Sequence, residues 1–210
     1  MEINTKQRLA IALSQLKGFN SPNAKLEQYI IESDIAAEVV WFAYYKSEIM
    51  GKVIADLGCG TGLLGLSALL LGAEKVFFVD IDEKSLEIAK ENLKFLEEKY
   101  ELELADKAVF VHKNIKDFDE IIDVVLQNPP FGIKDKHADK LFLEKAFKIS
   151  KTIYSFHKAE SQKFIDSVSK DNGFKATNYW EFDWPLKQTM SYHKKRIQYI
   201  RVGCWRLEKL

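Results

Sequence analysis

The sequence predicts a doubly wound α/β fold, in which a mostly parallel sheet carries helices on both faces. After residue 51, short apolar runs alternate with segments of helical periodicity, and strands that alternate with helices pair in parallel. Two longer strand-like runs follow, over residues 174–182 and 198–207. We expect these runs to form an antiparallel C-terminal hairpin at one edge of the sheet.

The elements are predicted in order from hydrophobic periodicity and from Gly, Pro and capping residues. Helices are expected over residues 4–16, from Ser33 to about residue 48, over 63–71, from Asp82 to about 96, over 141–149 and from about 156 to 169. Strands are expected at residues 53–55, 76–79, 109–111, 123–126 and 152–155. Together with the terminal hairpin, they give a seven-stranded sheet.

Length and composition favour one domain over residues 1–210, because 210 residues with 47% hydrophobic content can bury a single core. Residues 1–50 are expected to form a helical segment and residues 51–210 the α/β core.

Cys59 and Cys204 are far apart and have no spaced partners, which disfavours a disulfide framework or a cysteine-rich zinc site. The longest apolar run, residues 63–73, is about half of a bilayer span, and no signal peptide is visible. We therefore expect a cytoplasmic protein.

The charge of the chain is zero in sum but uneven in distribution. Residues 1–132 contain 14 Lys and Arg against 22 Asp and Glu, whereas residues 133–210 contain 17 against 9. Chance fluctuation of surface charge is one explanation. The other is a C-terminal part that meets phosphate groups.

A glycine-rich turn follows the first predicted strand, with the sequence Asp-Leu-Gly-Cys-Gly-Thr-Gly-Leu-Leu-Gly over residues 56–65. Glycines let the backbone turn tightly into a helix and let a ligand approach it closely. Asp80 ends the next strand at the same sheet edge, where its carboxylate can accept both hydroxyls of a ribose. The sequence thus predicts a Rossmann-like site for an adenosine-containing cofactor.

The identity of that cofactor depends on Asp56. Gly60, Gly62 and Gly65 with Asp80 satisfy the dinucleotide fingerprint, which is also compatible with NAD. An acid at position 56 suits the ammonium group of S-adenosylmethionine (AdoMet), whereas NAD sites direct a helix N-terminus at a pyrophosphate. We therefore expect AdoMet.

The fourth strand leads into a second motif, Asn128-Pro129-Pro130-Phe131. Consecutive prolines force the chain out of the sheet at its carboxyl end, beside the glycine turn. The Asn128 side-chain oxygen and the Pro129 carbonyl can accept both hydrogens of an exocyclic adenine amine, and Phe131 offers a face for an extruded base. A proline turn that merely ends a strand is the simpler alternative.

These motifs resemble those of class I AdoMet-dependent methyltransferases that act on a planar amine nitrogen. More narrowly, the chain resembles the methyltransferase-like protein five family, which methylates adenine N6 in small-subunit ribosomal RNA. The stretches that carry the narrower resemblance are Leu26-Glu27-Gln28-Tyr29, Tyr154-Ser155-Phe156-His157-Lys158 and Tyr192-His193-Lys194-Lys195. Ile30 and Ile31 stand where the family usually has Pro-Thr, so a hydroxyl near the cofactor's methionine end is missing.

The resemblance implies a set of site residues. The N-terminal segment is expected to close over the cofactor. The catalytic residues are expected to be Asn128, Pro129, Pro130 and Phe131. The cofactor-binding residues are expected to be Gln28, Asp56, Gly58, Gly60, Thr61, Gly62, Leu63, Asp80, Ile81, Asn114 and Ile115.

Three clusters near the predicted catalytic edge could bind RNA, since lysines neutralise phosphates and aromatic rings stack on bases. They contain Lys134 and Lys136, then His157 and Lys158, and finally Tyr192, His193, Lys194, Lys195 and Arg196. The four histidines lack metal-ligand spacing, so no metal is expected. Trp180, Trp184 and Trp205 are expected to pack in the core or at an edge, although they could also serve as base platforms.

The resemblance also implies a partner, because eukaryotic members need a small zinc-binding activator that extends the sheet. Val109, Phe110 and Val111 form the predicted edge strand on which such a protein could add a strand. Coverage of that edge by the chain's own helices and loops is the alternative.

The predicted reaction is methyl transfer from AdoMet to N6 of an extruded adenine in structured RNA, with small-subunit ribosomal RNA as the expected substrate. The alternatives are methylation of DNA adenine N6 or of protein glutamine N5. A non-enzymatic nucleotide-binding module or an NAD oxidoreductase would leave the turn at Asn128 unexplained.

Overall fold

The computed structural model describes residues 3–19, 23, 26–29, 31–131, 138–187 and 197–210, except for the side chains of residues 185–187 and 197–198. The helices are α1 (Lys6–Leu13), α2 (Ser33–Tyr45), α3 (Leu63–Leu70), α4 (Glu83–Tyr100), α5 (Ala138–Ile149) and α6 (Gln162–Asp171). The strands are β1 (Val53–Leu57), β2 (Lys75–Asp80), β3 (Ala108–His112), β4 (Val124–Gln127), β5 (Thr152–Lys158), β6 (Phe174–Lys187) and β7 (Ile197–Lys209). None of the described helices is long and apolar enough to cross a membrane.

The seven strands form one sheet in the order β3-β2-β1-β4-β5-β7-β6. Strands β1 to β5 are parallel to one another, whereas β7 is antiparallel to both β5 and β6. The predicted doubly wound sheet with an antiparallel hairpin is therefore confirmed. Because the first five strands run the same way, their carboxyl ends meet at one edge, and β3 is an edge strand as expected.

Alternate residues of the central strands face two separate cores, as the period of a strand requires. Ile54 of β1 and Val124 of β4 belong to the core that includes residues of α1, α2, α3 and α4. Ala55 and Val125 face the opposite core, which includes residues of α5 and α6. Both faces of the sheet are therefore covered by helices.

The first two helices are shorter than the sequence predicted. α1 begins at Lys6 because the Thr5 side chain caps it, accepting a 3.2 Å hydrogen bond from the Arg8 amide. Ser33 is the first residue of α2 rather than its cap, since Glu32 holds the capping position and makes no side-chain capping bond. α2 ends at Tyr45 instead of near residue 48.

The tryptophans of the C-terminal hairpin pack as expected. Trp184 and Trp205 are buried, and the half-buried Trp180 meets the edge of Phe42 on α2 with 4.8 Å between ring centroids.

A buried ion pair joins the segment after α2 to the last strand. Arg206 of β7 is only 3% exposed and forms hydrogen bonds with the carboxylate of Glu48, one of them from Nε at 3.1 Å. The Tyr154 hydroxyl on β5 donates to the same carboxylate at 2.6 Å. Because each buried polar group has a partner, this cluster holds the N-terminal helices against the antiparallel part of the sheet.

Candidate active site

A cavity of about 260 Å³ lies at the carboxyl ends of the parallel strands. Its walls come from five places in the chain: the segment before α2, the glycine turn after β1, the end of β2, the loop after β3, and the turn after β4 with the start of α5. The fold thus brings together motifs that are far apart in sequence, as expected for an open α/β sheet.

The glycine turn forms the floor of this cavity. Gly58 and Gly60 have φ values of +66° and +52°, a left-handed conformation that favours glycine over residues with a Cβ. A Cβ at Gly60 would also lie 2.9 Å from the ring of Phe19. Both backbone shape and close approach therefore require glycine here.

Asp80 holds the turn in place from the end of β2. Its Oδ2 accepts a 2.8 Å hydrogen bond from the Gly60 amide, and its Oδ1 accepts one of 2.8 Å from the Asp82 amide. Burial raises the pKa of this carboxyl, although these two amides act in the opposite direction. Each carboxylate oxygen has a second lone pair, so Asp80 can still accept hydrogen bonds from the hydroxyls of a ribose.

Asp56 lies deeper beside the same turn and is 1% exposed. Its Oδ2 accepts a 2.8 Å hydrogen bond from the Gly65 amide in α3. Burial is the main cause that raises the pKa of Asp56 to about 7; the hydrogen bond from the Gly65 amide acts in the opposite direction, and the nearby Asp80 charge adds to the rise. A cationic ligand group would stabilise the ionised form, which is what an ammonium group offers.

Gln28 ties the N-terminal segment to this wall. Its Nε2 donates to Oδ2 of Asp82 at 2.7 Å and to Oγ of Ser85 at 3.1 Å, and its Oε1 accepts from the Asn23 amide at 2.7 Å. The segment before α2 is thereby fixed to the N-terminus of α4. Gln28 is a wall residue of the cavity as well as a link between two elements.

Most of the expected cofactor-binding residues line the cavity, and one does not. Gly62 is the N-cap residue of α3 with φ of +87°, so it shapes the helix start instead of the wall. Sequence reasoning missed Phe19, Leu141 and Phe142, which also line it. The expected residues that do line it are Gln28, Asp56, Gly58, Gly60, Thr61, Leu63, Asp80, Ile81, Asn114 and Ile115.

The turn after β4 contributes Asn128 and Pro130 to the cavity. Oδ1 of Asn128 is buried and has no hydrogen-bond partner among the described residues. A buried acceptor without a partner is costly, so this atom is suited to receive a donor from a ligand.

Phe131 is not among the cavity-lining residues and is only 7% exposed. The ring of Tyr29 stacks on it, with 5.7 Å between centroids and an interplanar angle of 15°. Trp184 meets Phe131 at 87° with 6.4 Å between centroids. The aromatic face expected to receive a base is therefore covered by Tyr29.

The structure corrects the expected place of His157. This residue was expected at an RNA-binding surface, but it lies within the sheet and is 1% exposed. Its Nε2 is 2.6 Å from Oγ of Ser155, which in turn accepts a 2.9 Å hydrogen bond from Gln127, the residue before Asn128. Burial lowers the pKa of His157 to about 3, so the imidazole is neutral and provides no charge for a phosphate.

The other expected RNA-binding residues have different outcomes. Lys158 ends β5 and is half-buried at the edge of the sheet where the parallel strands have their carboxyl ends. The remaining expected RNA-binding residues lie outside the described residues: Lys134, Lys136, Tyr192, His193, Lys194, Lys195 and Arg196.

Among the described residues, no group of three or more His, Cys, Asp or Glu side chains is placed to hold a metal ion.

The chain is similar to known methyltransferases in sequence. A model of the methyltransferase small domain matches residues 30–152. An uncharacterized protein of Methanocaldococcus jannaschii is 37% identical over 98% of this chain and 94% of its own length. The rRNA N6-adenosine methyltransferase METTL5 of Danio rerio is 32% identical over 93% of this chain and 95% of its own.

Among solved structures, a protein of Pyrococcus horikoshii described as a candidate RNA methyltransferase is similar along nearly the whole chain. It superposes with a TM-score of 0.89 at 39% identity and covers 99% of each chain. The similarity therefore includes the N-terminal helices and the C-terminal hairpin as well as the glycine turn.

Proposed function

Because the chain belongs to the methyltransferase small-domain family, and within it to the family of the METTL5 methyltransferases, we propose that it methylates N6 of an adenine in ribosomal RNA. Small-subunit ribosomal RNA is the proposed substrate, and the adenine is extruded into the cavity. The observation that carries this proposal is the buried Oδ1 of Asn128, which faces no donor among the described residues.

An exocyclic adenine amine matches that acceptor. Its lone pair is delocalised into the ring, which makes the nitrogen a poor nucleophile. When Asn128 Oδ1 and the Pro129 carbonyl each accept one amine hydrogen, the nitrogen is oriented and its lone pair becomes more available. Orientation and charge placement supply most of the rate enhancement in such a reaction. As the N–CH₃ bond forms, the S–CH₃ bond would break, S-adenosylhomocysteine would leave and the surplus amine proton would pass to water, so no general base is required.

AdoMet is the proposed methyl donor, and its sulfonium group supplies an electrophilic methyl carbon. The residues suited to hold it are those around the glycine turn. Asp80 would accept the ribose hydroxyls, Asp56 would face the ammonium group, and Asn114 with Ile115 would flank the adenine. Gln28 would hold the N-terminal segment over the cofactor, since it already bridges to Asp82 and Ser85.

The proposal extends to the surroundings of the protein. Lys158 and the basic residues in 133–136 and 192–196 would meet the RNA backbone, and the enzyme would act in the cytoplasm.

β3 lies at one edge of the sheet, and Val109, Phe110 and Val111 are half-buried there. A small zinc-binding activator could add a strand at this edge. Full activity of a protein that elutes as a monomer, without a partner, would remove the activator from the proposal.

The first experiment uses labelled AdoMet with RNA, DNA and protein acceptors offered separately. We expect label in ribosomal RNA, and digestion to nucleosides should place it on N6 of adenosine. Label in DNA would instead support DNA adenine methylation, and label in protein would support glutamine N5 methylation. Either result in place of RNA labelling would overturn the proposed substrate.

The second experiment replaces Asn128 by alanine. We expect Asn128→Ala to lower kcat by about 10²- to 10³-fold, because one oriented hydrogen-bond partner of the reacting group is lost. AdoMet affinity, measured by calorimetry, should stay close to that of the wild type. Asn178→Ala on β6, outside the cavity, is the matched control. Unchanged turnover of the Asn128 variant would contradict the assigned role.

A further inference from the structure

We propose that Tyr29 is a second stacking partner of the target base, so that the base is held between the rings of Tyr29 and Phe131. This inference rests on the proposed function, because it concerns how the same cavity receives an adenine. The inference starts from the position of the Tyr29 ring, which covers one face of Phe131. Tyr29 lines the cavity, whereas Phe131 is buried behind Tyr29.

The two rings already have the orientation that a flat ligand needs. Their planes differ by only 15°, and their centroids are 5.7 Å apart. An aromatic base between two rings requires about 7 Å from ring to ring, two van der Waals layers of about 3.5 Å. Two rings in contact are about one such layer apart, so the planes of Tyr29 and Phe131 must separate by up to about 3.5 Å for a base to enter.

Phe131 is the fixed side of this pair. It follows the rigid Pro129-Pro130 turn, and the buried Trp184 meets it from another direction at 87°. Trp184 in turn packs edge-on against Phe156 of β5, which is fully buried. Movement that opens the gap must therefore come from Tyr29.

The backbone of Tyr29 is held close to the cavity by residues that precede and follow it in the chain. The preceding residue, Gln28, is anchored through Asp82 and Ser85, and Ile31 on the other side is buried in the core. A short segment fixed at both ends keeps the backbone of Tyr29 beside the cavity, so the ring makes room by rotation about its own side-chain bonds. Tyr29 would thus stay against the outer face of the base after the base has entered.

The same anchor links the two halves of the site. Gln28 is fixed to Asp82, two residues after the carboxylate proposed to hold the ribose of the cofactor, and Tyr29 is the next residue in the chain. The segment that closes the cofactor side therefore also places the ring that covers the base.

The test compares Tyr29→Leu, Tyr29→Phe and Tyr45→Leu with the wild type. Leucine keeps apolar bulk without an aromatic face, and phenylalanine keeps the face without the hydroxyl. Tyr45 is on α2, is 76% exposed and does not line the cavity, so its variant is the matched control. The acceptor is an unmodified transcript of small-subunit ribosomal RNA, and AdoMet affinity and melting temperature are measured for each protein.

We expect Tyr29→Leu to lower kcat/KM for the RNA by about 10- to 100-fold, the loss of one base stack, with AdoMet affinity within threefold of the wild type. Tyr29→Phe and Tyr45→Leu should stay within threefold of the wild type in both measurements.

Three results would overturn the inference alone: transfer by Tyr29→Leu within threefold of the wild type, an equal loss in Tyr29→Phe, or loss of AdoMet binding or folding in Tyr29→Leu. The last result would assign the ring a structural role. Absence of transfer by the wild type to RNA is a different outcome, because it removes the proposed function and the inference together.

Discussion

The Gly65 amide donates a 2.8 Å hydrogen bond to Oδ2 of Asp56, so the first turn of α3 is joined to the end of β1 at the floor of the cavity. The carboxyl group that receives it is 1% exposed, and its pKa is raised to about 7. One backbone donor therefore offsets only part of the cost of burying this charge. Two predictions depend on this imbalance.

The first prediction concerns the pH dependence of AdoMet binding. Below pH 7 the Asp56 carboxyl of the free protein is mostly protonated, and a neutral acid attracts an ammonium group less than a carboxylate does. We expect AdoMet affinity to fall by about 10-fold or more between pH 8 and pH 5.5. Calorimetric titrations across this range will measure it.

The control for this prediction is Asp56→Asn, which should bind AdoMet more weakly and with a flatter pH profile. The ligand's own ammonium group titrates identically in both experiments, so the difference between the profiles isolates Asp56. Parallel profiles for the two proteins would contradict the assignment of Asp56 to the ammonium group.

The second prediction concerns stability without ligand. The folded-state pKa of Asp56, about 7, lies above the ordinary value of 3.8. The folded protein therefore binds the proton more tightly, and the contribution of this carboxyl to stability declines as pH rises from about 4 to 7. We expect Asp56→Asn to stabilise the free protein by about 1–3 kcal/mol at pH 8 and to change it little at pH 4. Thermal melts at both pH values decide this.

Gly65 also provides a packing prediction. A Cβ at this helical position would lie 2.4 Å from Cε1 of the buried Phe78. We expect Gly65→Ala to destabilise the protein by about 1–3 kcal/mol, because neither the helix nor the strand can move away freely. Denaturant unfolding measures the loss, and adding Phe78→Leu should recover part of it.

Gly173→Ala is the comparison for this variant, since nothing lies within 4 Å of its added Cβ and only its φ of +75° is unfavourable. Its cost, about 1–2 kcal/mol, should be independent of Phe78. Strictly additive effects of Gly65→Ala and Phe78→Leu would show that the two sites are not in contact.

The last prediction concerns His157. Its pKa of about 3 lies below the ordinary 6.5, so the unfolded chain takes up the proton first and this imidazole costs stability as pH falls below about 6.5. We expect its ring NMR signals to stay those of a neutral imidazole from pH 8 to pH 5, with His157→Gln used to assign them. A titration midpoint above pH 6 would contradict the buried, neutral state.

The architecture was predictable because periodicity alone carries much of the information. Runs such as residues 76–79 are apolar at every position, which suits a strand covered on both faces, and the structure confirms the parallel sheet with its antiparallel hairpin. Helix ends were less predictable. The Thr5 side chain caps α1, whereas α2 begins after Glu32 without a side-chain capping bond, and periodicity does not distinguish the two cases.

Site residues were predictable where their type and spacing point to one chemistry. They were less predictable where the fold decides whether a side chain is exposed or buried. The glycines after β1 and the acid at the end of β2 indicate a site for an adenosine-containing cofactor from the sequence alone. His157 lies beyond the strand expected at residues 152–155, but β5 continues to Lys158 and pairs with β7 along that length, so the histidine is enclosed by the hairpin. The stack of Tyr29 on Phe131 joins residues about a hundred positions apart, and local patterns contain no record of it.

The pairing of Glu48 with Arg206 has a consequence for how the protein acquires its structure during synthesis. The two residues are 158 positions apart, so the carboxylate emerges from the ribosome long before its partner. Asp56 and Asp80 emerge early as well, yet the strand that closes the sheet beside β5 comes last. Domains dominated by such distant contacts fold slowly and late. A nascent chain without its final strand therefore contains the residues of the cofactor site but not the tie that secures the helices around it.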